Sequence, residues 1–247
     1  MAGHSHWANI SRHKGVQDSK RGKLWSKLSR YIMIAAKNGG GDPAMNLKLR
    51  YAIDKARAVS MPKENIERAV KKGCGEIDGV VFDEVNYEGY GPGGTAVLIE
   101  IVTDNRNRTS GEVRKIFDRA GGNMGGPGCA AHLFERKGLI VVSASSTDED
   151  SLINLAVFEA GADDVRSVGE SFEITCAPGV FQKVQETLQK AGLTLDSAEV
   201  THIPKDPMTV DIETGQKIAR LLEALDDHED VQNVFSNAAL TEEMMNQ

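Results

Sequence analysis

The chain has 247 residues, 40% hydrophobic and 26% charged, with a formal net charge of −7. That length suits two or three small domains and exceeds one ordinary core. No run of about 18 apolar residues predicts a transmembrane helix, no apolar signal region precedes the first polar stretch, and Cys74, Cys129 and Cys176 form no CxxC pair, so the expectation is a cytoplasmic protein with reduced thiols.

Residues 1–19 are polar, without helical periodicity, and read as a flexible basic tail. The first thirty residues hold seven Lys/Arg against one acid, Asp18. From Lys20, the apolar residues Leu24, Leu28, Tyr31, Ile32 and Ala35 recur at helical spacing. This helix should stop at "NGGG", where glycine permits positive φ. "GDPAMNLKLRYAIDKARAVS" predicts a second helix, with Asp42 as N-cap and Pro43 in its first turn. "SMPKENIERAVKKG" predicts a third, with Pro62 and Glu64 at its start and Gly73 as its stop. Residues 20–78 therefore read as a basic helical domain. Up to Cys74 there are sixteen Lys/Arg and five Asp/Glu, whereas the remainder holds thirteen and thirty-one. An excess of that size in one part of a chain points to a polyanion.

After Gly79, "VVFDEVNYEGY" and "TAVLIEIVTD" predict two strands joined by a "GPGG" turn. "DNRNRTSGEVRKIFDRAGG" is a polar loop feeding a helix, with Thr109 and Glu112 at capping-box spacing, and "CAAHLFERKG" supplies another strand. From Leu139 the order is strand ("LIVVSA"), a helix begun by Thr147 and Asp150, a hairpin about Gly169, a helix from Pro178 to Gly192, and a strand ("SAEVTHIP"). That is the ferredoxin-like βαββαβ series. The helix and strand after "KDPM" are too few for a core of their own and should complete the sheet begun near residue 80. The expected fold class is multidomain α and α+β. It comprises an N-terminal three-helix domain, a central α+β domain (79–137 plus 205–247), and an inserted ferredoxin-like domain (138–204).

Little in the sequence carries chemistry. "GYGPGG" matches GxGxxG, but a strand follows it where a dinucleotide site needs a helix N-terminus, so it reads as a hairpin turn. There is no GxxxxGK[ST]. His4, His6 and His13 lack a partner at ligand spacing, and Cys129 has no His and acid nearby in sequence. No catalytic residue, metal site or cofactor is predicted. "DNRNRT" stays open between a phosphate-contacting loop and a self-satisfied one in which Arg106 pairs with the acidic body.

"MAGHSHWANISRHK", "KRGKLWSKLSR", "GGGDPAMNLKLR", "MPKENIERAVKKG", "YEGYGPGGTAVLIE" and "TDNRNRT" together closely resemble the YebC/PmpR family. The match is distinctive to about residue 135 and looser beyond, where "AGADDV" and "DSAEVTHIP" also fit. The resemblance implies three domains, no catalytic activity, and one of two roles. Members are generally assigned as cytoplasmic DNA-binding transcriptional regulators, while mitochondrial relatives look like translational activators acting on the ribosome. This chain departs from the usual pattern at His6, Trp25, Cys129 and His132.

The expected function is a non-enzymatic nucleic-acid-binding regulator of gene expression. The alternatives are a ribosome- or RNA-binding translation factor and an acidic protein-interaction adaptor. The partner would be DNA or ribosomal or messenger RNA, with no membrane. Candidate contacts are Trp7, Arg12, His13, Lys14, Lys20, Arg21, Lys23, Lys27, Arg30, Arg50, Arg106 and Arg108. The cations would gain affinity by counterion release, and Trp7 and His13 would stack on exposed bases. Trp25 lies on the helical stripe and reads as core.

Overall fold

The computed structural model describes residues 18–78 and 81–245; the expected tail lies outside them, apart from its last two residues. In chain order the helices are α1 (Asp18–Gly39), α2 (Leu47–Ala58), α3 (Lys63–Gly73), α4 (Arg106–Arg119), α5 (Glu149–Leu152), α6 (Phe181–Lys190), α7 (Ile212–Asp226) and α8 (Glu242–Met245). The strands are β1 (Asp83–Tyr90), β2 (Ala96–Thr103), β3 (Asn123–Met124), β4 (Phe134–Ser143), β5 (Asp164–Val168), β6 (Ser171–Cys176), β7 (Leu195–Pro204), β8 (Met208–Thr209), β9 (Val231–Ser236) and β10 (Ala238–Ala239). This is a multidomain α and α+β protein. Its described residues form two compact units, one of 18–131 with 217–236 and one of 132–216 with 237–245.

In the first unit, α1, α2 and α3 bury one shared cluster. Leu28, Ile32 and Ala35 of α1 meet Leu49, Ala52, Ile53 and Ala56 of α2 and Ile66 and Ala69 of α3. Ile32 and Leu49 are wholly buried, each stabilising the domain by roughly 2 kcal/mol. Trp25 packs against this cluster and donates its indole N–H to the Val59 carbonyl at 3.3 Å. The alanines let the helices close up, and Gly73 allows the tightest approach. A Cβ there would sit 2.4 Å from the Met33 carbonyl oxygen and 2.8 Å from the Ala36 Cβ.

The start of α2 differs from the expectation. Asp42 closes a preceding turn by accepting from Ala44 N–H at 2.8 Å, and Asn46 is the N-cap, accepting from Leu49 N–H at 3.1 Å. Its amide also donates to the Ala35 and Gly40 carbonyls, both at 2.8 Å. One buried side chain thus satisfies the end of α1 and the start of α2, which an aspartate, having no donor, could not do.

The first unit's sheet has the order β3-β1-β2-β9, antiparallel throughout. The β1–β2 register runs from Asp83↔Thr103 to Tyr90↔Ala96, so "GPGG" lies in the hairpin connection, with Gly93 at φ 70° and Gly94 at φ 76°. β2 is buried along its length except at Glu100, as its unbroken apolar run requires of a central strand covered on both faces. Glu88 of β1 is buried, and its carboxylate accepts from the Gly128, Ala130 and Ala131 amides, each at 2.7 Å. It pins the glycine-rich segment 125–131 to the sheet.

In the second unit, β4 to β7 form an antiparallel sheet of order β5-β6-β4-β7, the ferredoxin-like arrangement. α6 buries Phe181, Val184 and Leu188. The helix after Asp148 begins as α5 and continues as a π-helical turn over Ile153–Glu159; Asp148, rather than Thr147, caps it, accepting from Ser151 N–H at 2.9 Å. The two strands expected around Gly138 are one continuous β4. Glycine belongs there because a Cβ would lie 2.5 Å from the Phe181 ring and 2.6 Å from Cys176 Sγ. Glu173, in β6, is 1% exposed, and neither of its carboxylate oxygens has a hydrogen-bond partner among the described residues.

Candidate nucleic-acid interface

The proposed contacts fall into three groups. Trp7, Arg12, His13 and Lys14 lie outside the described residues. Lys20 and Arg21 fall in the first turns of α1, where only the backbone is described, and Lys23 beside them is exposed. Lys27, Arg30, Arg50, Arg106 and Arg108 all have partners inside the protein.

Those partners are specific. The Lys27 ammonium donates to the Asp226 carbonyl. Arg30 pairs with Asp230 at 2.9 Å and with Glu229 at 3.5 Å, and its guanidinium lies 5.6 Å from the centre of the Phe82 ring. Arg50 donates to the Pro43 and Ala44 carbonyls, both at 3.0 Å, and so braces the turn before α2. Arg106 pairs with Asp83 at 3.2 Å. Arg108 forks between Asp104 and Asp230, each at 2.8 Å.

Local sequence explains the "DNRNRT" geometry. Asn105 caps α4 by accepting from Arg108 N–H at 3.1 Å, so the helix starts one turn earlier than a Thr109 cap would place it. Thr109 is then free to turn inward. Its hydroxyl lies 2.7 Å from Asp230 Oδ2 and 2.8 Å from the Thr103 hydroxyl, which is itself 3.0 Å from the same carboxylate. Asp230 is 3% exposed. Burial opposes its charge, but hydrogen bonds from Thr109, Arg108 and Thr103, with Arg30 beside it, outweigh that and hold the carboxyl below its ordinary range.

Around Asp230 opens a cleft of about 760 Å³, lined by Arg30, Arg108, Lys115, Arg119, Phe82 and His228 together with five carboxylates, Asp230 among them. His228 lies 2.9 Å from Glu112 through Nε2, and its Nδ1 accepts from Asp230 N–H at 3.1 Å; Nε2 is therefore the donor. Lys115 and Arg119 were missed by sequence reasoning. They stand at i and i+4 of α4, a spacing visible in "VRKIFDR", but only the fold places them at a cleft. Burial, reinforced by the Glu88 charge, raises the Cys129 thiol, and burial pushes that of Cys176 up to about 11, so neither is an activated thiolate. Among the described residues no three or more His, Cys, Asp or Glu are grouped to hold a metal, and no helix is long and apolar enough to cross a membrane.

Comparison with known proteins covers nearly the whole chain. The family model for the TACO1/YebC N-terminal domain matches residues 5–76, and that for the TACO1/YebC second and third domain matches 82–238. A protein of Dictyoglomus turgidum is 49% identical over 246 residues, spanning 99% of this chain and 98% of its own. One of Pelotomaculum thermopropionicum is 51% identical over 239 residues, spanning 96% and 98%. Both carry the name probable transcriptional regulatory protein. The crystal structure of a conserved hypothetical protein from Aquifex aeolicus superposes with a TM-score of 0.82 at 46% identity, covering 93% of this chain and 95% of that one.

Proposed function

From the premise that this chain belongs to the TACO1/YebC family, we propose that it is a non-enzymatic, nucleic-acid-binding regulator of gene expression acting in the cytoplasm. The observation that carries this reading is the segregation of charge. Residues 1–74 hold sixteen Lys/Arg against five Asp/Glu, while the rest of the chain is strongly acidic. A basic arm with an acidic body behind it draws a polyanion to one surface and repels it from the others. The name carried by its relatives favours transcription as the process regulated.

A second reading, a translation factor on ribosomal or messenger RNA, is favoured by the orientation of the helical domain's cations. Lys27 and Arg30 of α1 and Arg50 of α2 are turned onto the protein's own carbonyls and carboxylates, which removes these three from any row presented to a major groove. Contact would then rest on the residues ahead of Lys27, a mode suited to phosphates and irregular RNA.

The test is co-sedimentation with purified ribosomes over a salt series, with and without excess duplex DNA, comparing the full chain with the variant carrying Lys14→Glu, Lys20→Glu, Arg21→Glu and Lys23→Glu. Binding lost in the variant supports the arm. Ribosome binding that survives the DNA assigns translation, and tight, sequence-dependent duplex binding assigns transcription. A variant that retains full binding at low salt overturns the arm and favours an acidic adaptor.

A further inference from the structure

We propose that residues 1–17, the basic tail, dock on the face of the ferredoxin-like sheet that carries Glu173, and that this contact competes with nucleic acid for the tail. The competition rests on the nucleic-acid reading above, whereas the docking stands without it.

Helix α6, packed against the π-helical turn, covers one face of this sheet. Cys176 of β6 points to that face, since a Cβ on Gly138 would meet both its Sγ and the Phe181 ring. Side chains alternate along a strand, so Glu173, three residues earlier, points to the other face. There it stands opposite Val141 of β4. On this second face Leu139, Val141 and Ile203 form a buried cluster that no other apolar side chain among the described residues joins. Glu173 is buried with them, and neither of its oxygens has a hydrogen-bond partner among the described residues. The cation across the β5–β6 pair, Arg166, turns its guanidinium onto Asp164 at 2.6 Å. A buried carboxylate without a donor is costly. The face therefore suits an occupant that is apolar in one part and cationic in another.

The tail has that composition. Residues 1–17 hold Trp7 and Ile10, then Arg12 and Lys14, and no acid. The described residues of the second unit hold seventeen Asp/Glu against six Lys/Arg. The paired positions of the sheet face itself carry Glu135, Asp164, Glu173 and Glu199 against Lys137 and Arg166, so the balance is negative with every charge counted. Seventeen extended residues reach up to roughly 56 Å, more than the width of a hundred-residue domain. A tethered segment is present at an effective concentration on the order of millimolar, which a separate basic protein would have to exceed. The tail's cations are the ones that would release counterions from a phosphate backbone, and each serves one anion at a time. A contact that nucleic acid can break offsets only part of the cost of burying Glu173.

The experiment follows trypsin cleavage after Arg12 and Lys14 by mass spectrometry. On separate samples, fluorescence anisotropy measures binding of a labelled single-stranded RNA and a labelled duplex DNA at low salt. It uses the full chain, E173Q, I203T and E186Q. The last removes one charge at an exposed position of α6, on the other side of the sheet. Far-UV circular dichroism confirms that each variant is folded. E173Q and I203T are expected to be cut at least threefold faster than E186Q, and E173Q to bind the probes at least threefold more tightly than E186Q. Global destabilisation would speed cleavage along the whole chain, whereas release of the tail speeds it at these two sites. Cleavage of either variant there at the rate of E186Q overturns the docking. Faster cleavage without tighter binding overturns the competition. Failure of every protein to bind either probe overturns the nucleic-acid reading itself and leaves the cleavage result to decide the docking.

Discussion

Arg30 in α1 and Asp230 before β9 stand 200 positions apart in the chain, yet their side chains meet at 2.9 Å. The same carboxylate takes Arg108 of α4 and the hydroxyls of Thr103 and Thr109. One buried anion therefore ties the helical domain to both a strand and a helix of the first unit. Such a group is strongly destabilising to break, because its removal leaves converging cations and hydroxyls without their acceptor.

Asp230→Asn is expected to destabilise the first unit by about 3 kcal/mol at neutral pH, read as a lower urea midpoint. The folded carboxyl lies below its ordinary value, so the stability it contributes is fully present above the unfolded value of about 4 and is lost as pH falls through the lowered one. The gap between the two proteins should narrow in acid. A gap that stays constant down to pH 2 would refute the charged pairing.

Glu173 predicts the opposite pH dependence. Burial pushes its carboxyl up to about 7, with Arg166 partly offsetting. Well below about pH 4.5 it is protonated whether the chain is folded or not and contributes no pH dependence. As pH rises towards 7 the unfolded state ionises first, and stability falls by up to about 3 kcal/mol. Glu173→Gln should abolish that fall, so the variant gains on the parent between pH 5 and pH 8. Parallel stability curves would show that the carboxylate is solvated.

Asn46→Ala removes the cap of α2 and two bonds to the carbonyls closing α1. A loss of about 2 kcal/mol in the helical domain is expected, whereas Asp42→Ala, which touches only the preceding turn, should cost less than half of that. Thermal melts followed by circular dichroism decide between the two caps.

Glu88→Ala should release the segment it pins. Hydrogen exchange at the Gly128, Ala130 and Ala131 amides, each now bound to that carboxylate, is expected to accelerate at least tenfold. Amides in the middle of β2 should change far less, since their partners are backbone carbonyls of β1 and β9. Uniform acceleration would mean that Glu88 supports the whole sheet instead.

Periodicity and turn chemistry carry most of the architecture in the sequence. The helical stripe of α1, the glycine hairpin before β2 and the βαββαβ series are local patterns, and local patterns are what propensity and spacing record. The caps were harder to read, because Asp42, Thr109 and Thr147 each satisfy a capping rule in isolation. Asn46 wins because it reaches the Ala35 carbonyl of α1 and the Gly40 carbonyl just beyond it, and Thr109 is drawn inward by Asp230, more than a hundred residues further along. The site was legible as composition only. A count of lysines and arginines cannot tell Lys23, which is exposed, from Arg30, which is bound to Asp230, since that distinction depends on which acids the fold brings close.

The place of β9 at the edge of β2 sets a schedule for the newborn chain. Translation at roughly 5–20 residues per second delivers β9 on the order of ten seconds after β2, and until then "AVLIEIVT" has a bare edge of the apolar kind that invites pairing with another chain. The strands β4 to β7 emerge in that interval and need nothing from β9 to pair with one another. Residues 230–236, made after β4 to β7, therefore carry both the strand that closes this edge and the carboxylate that receives Arg30.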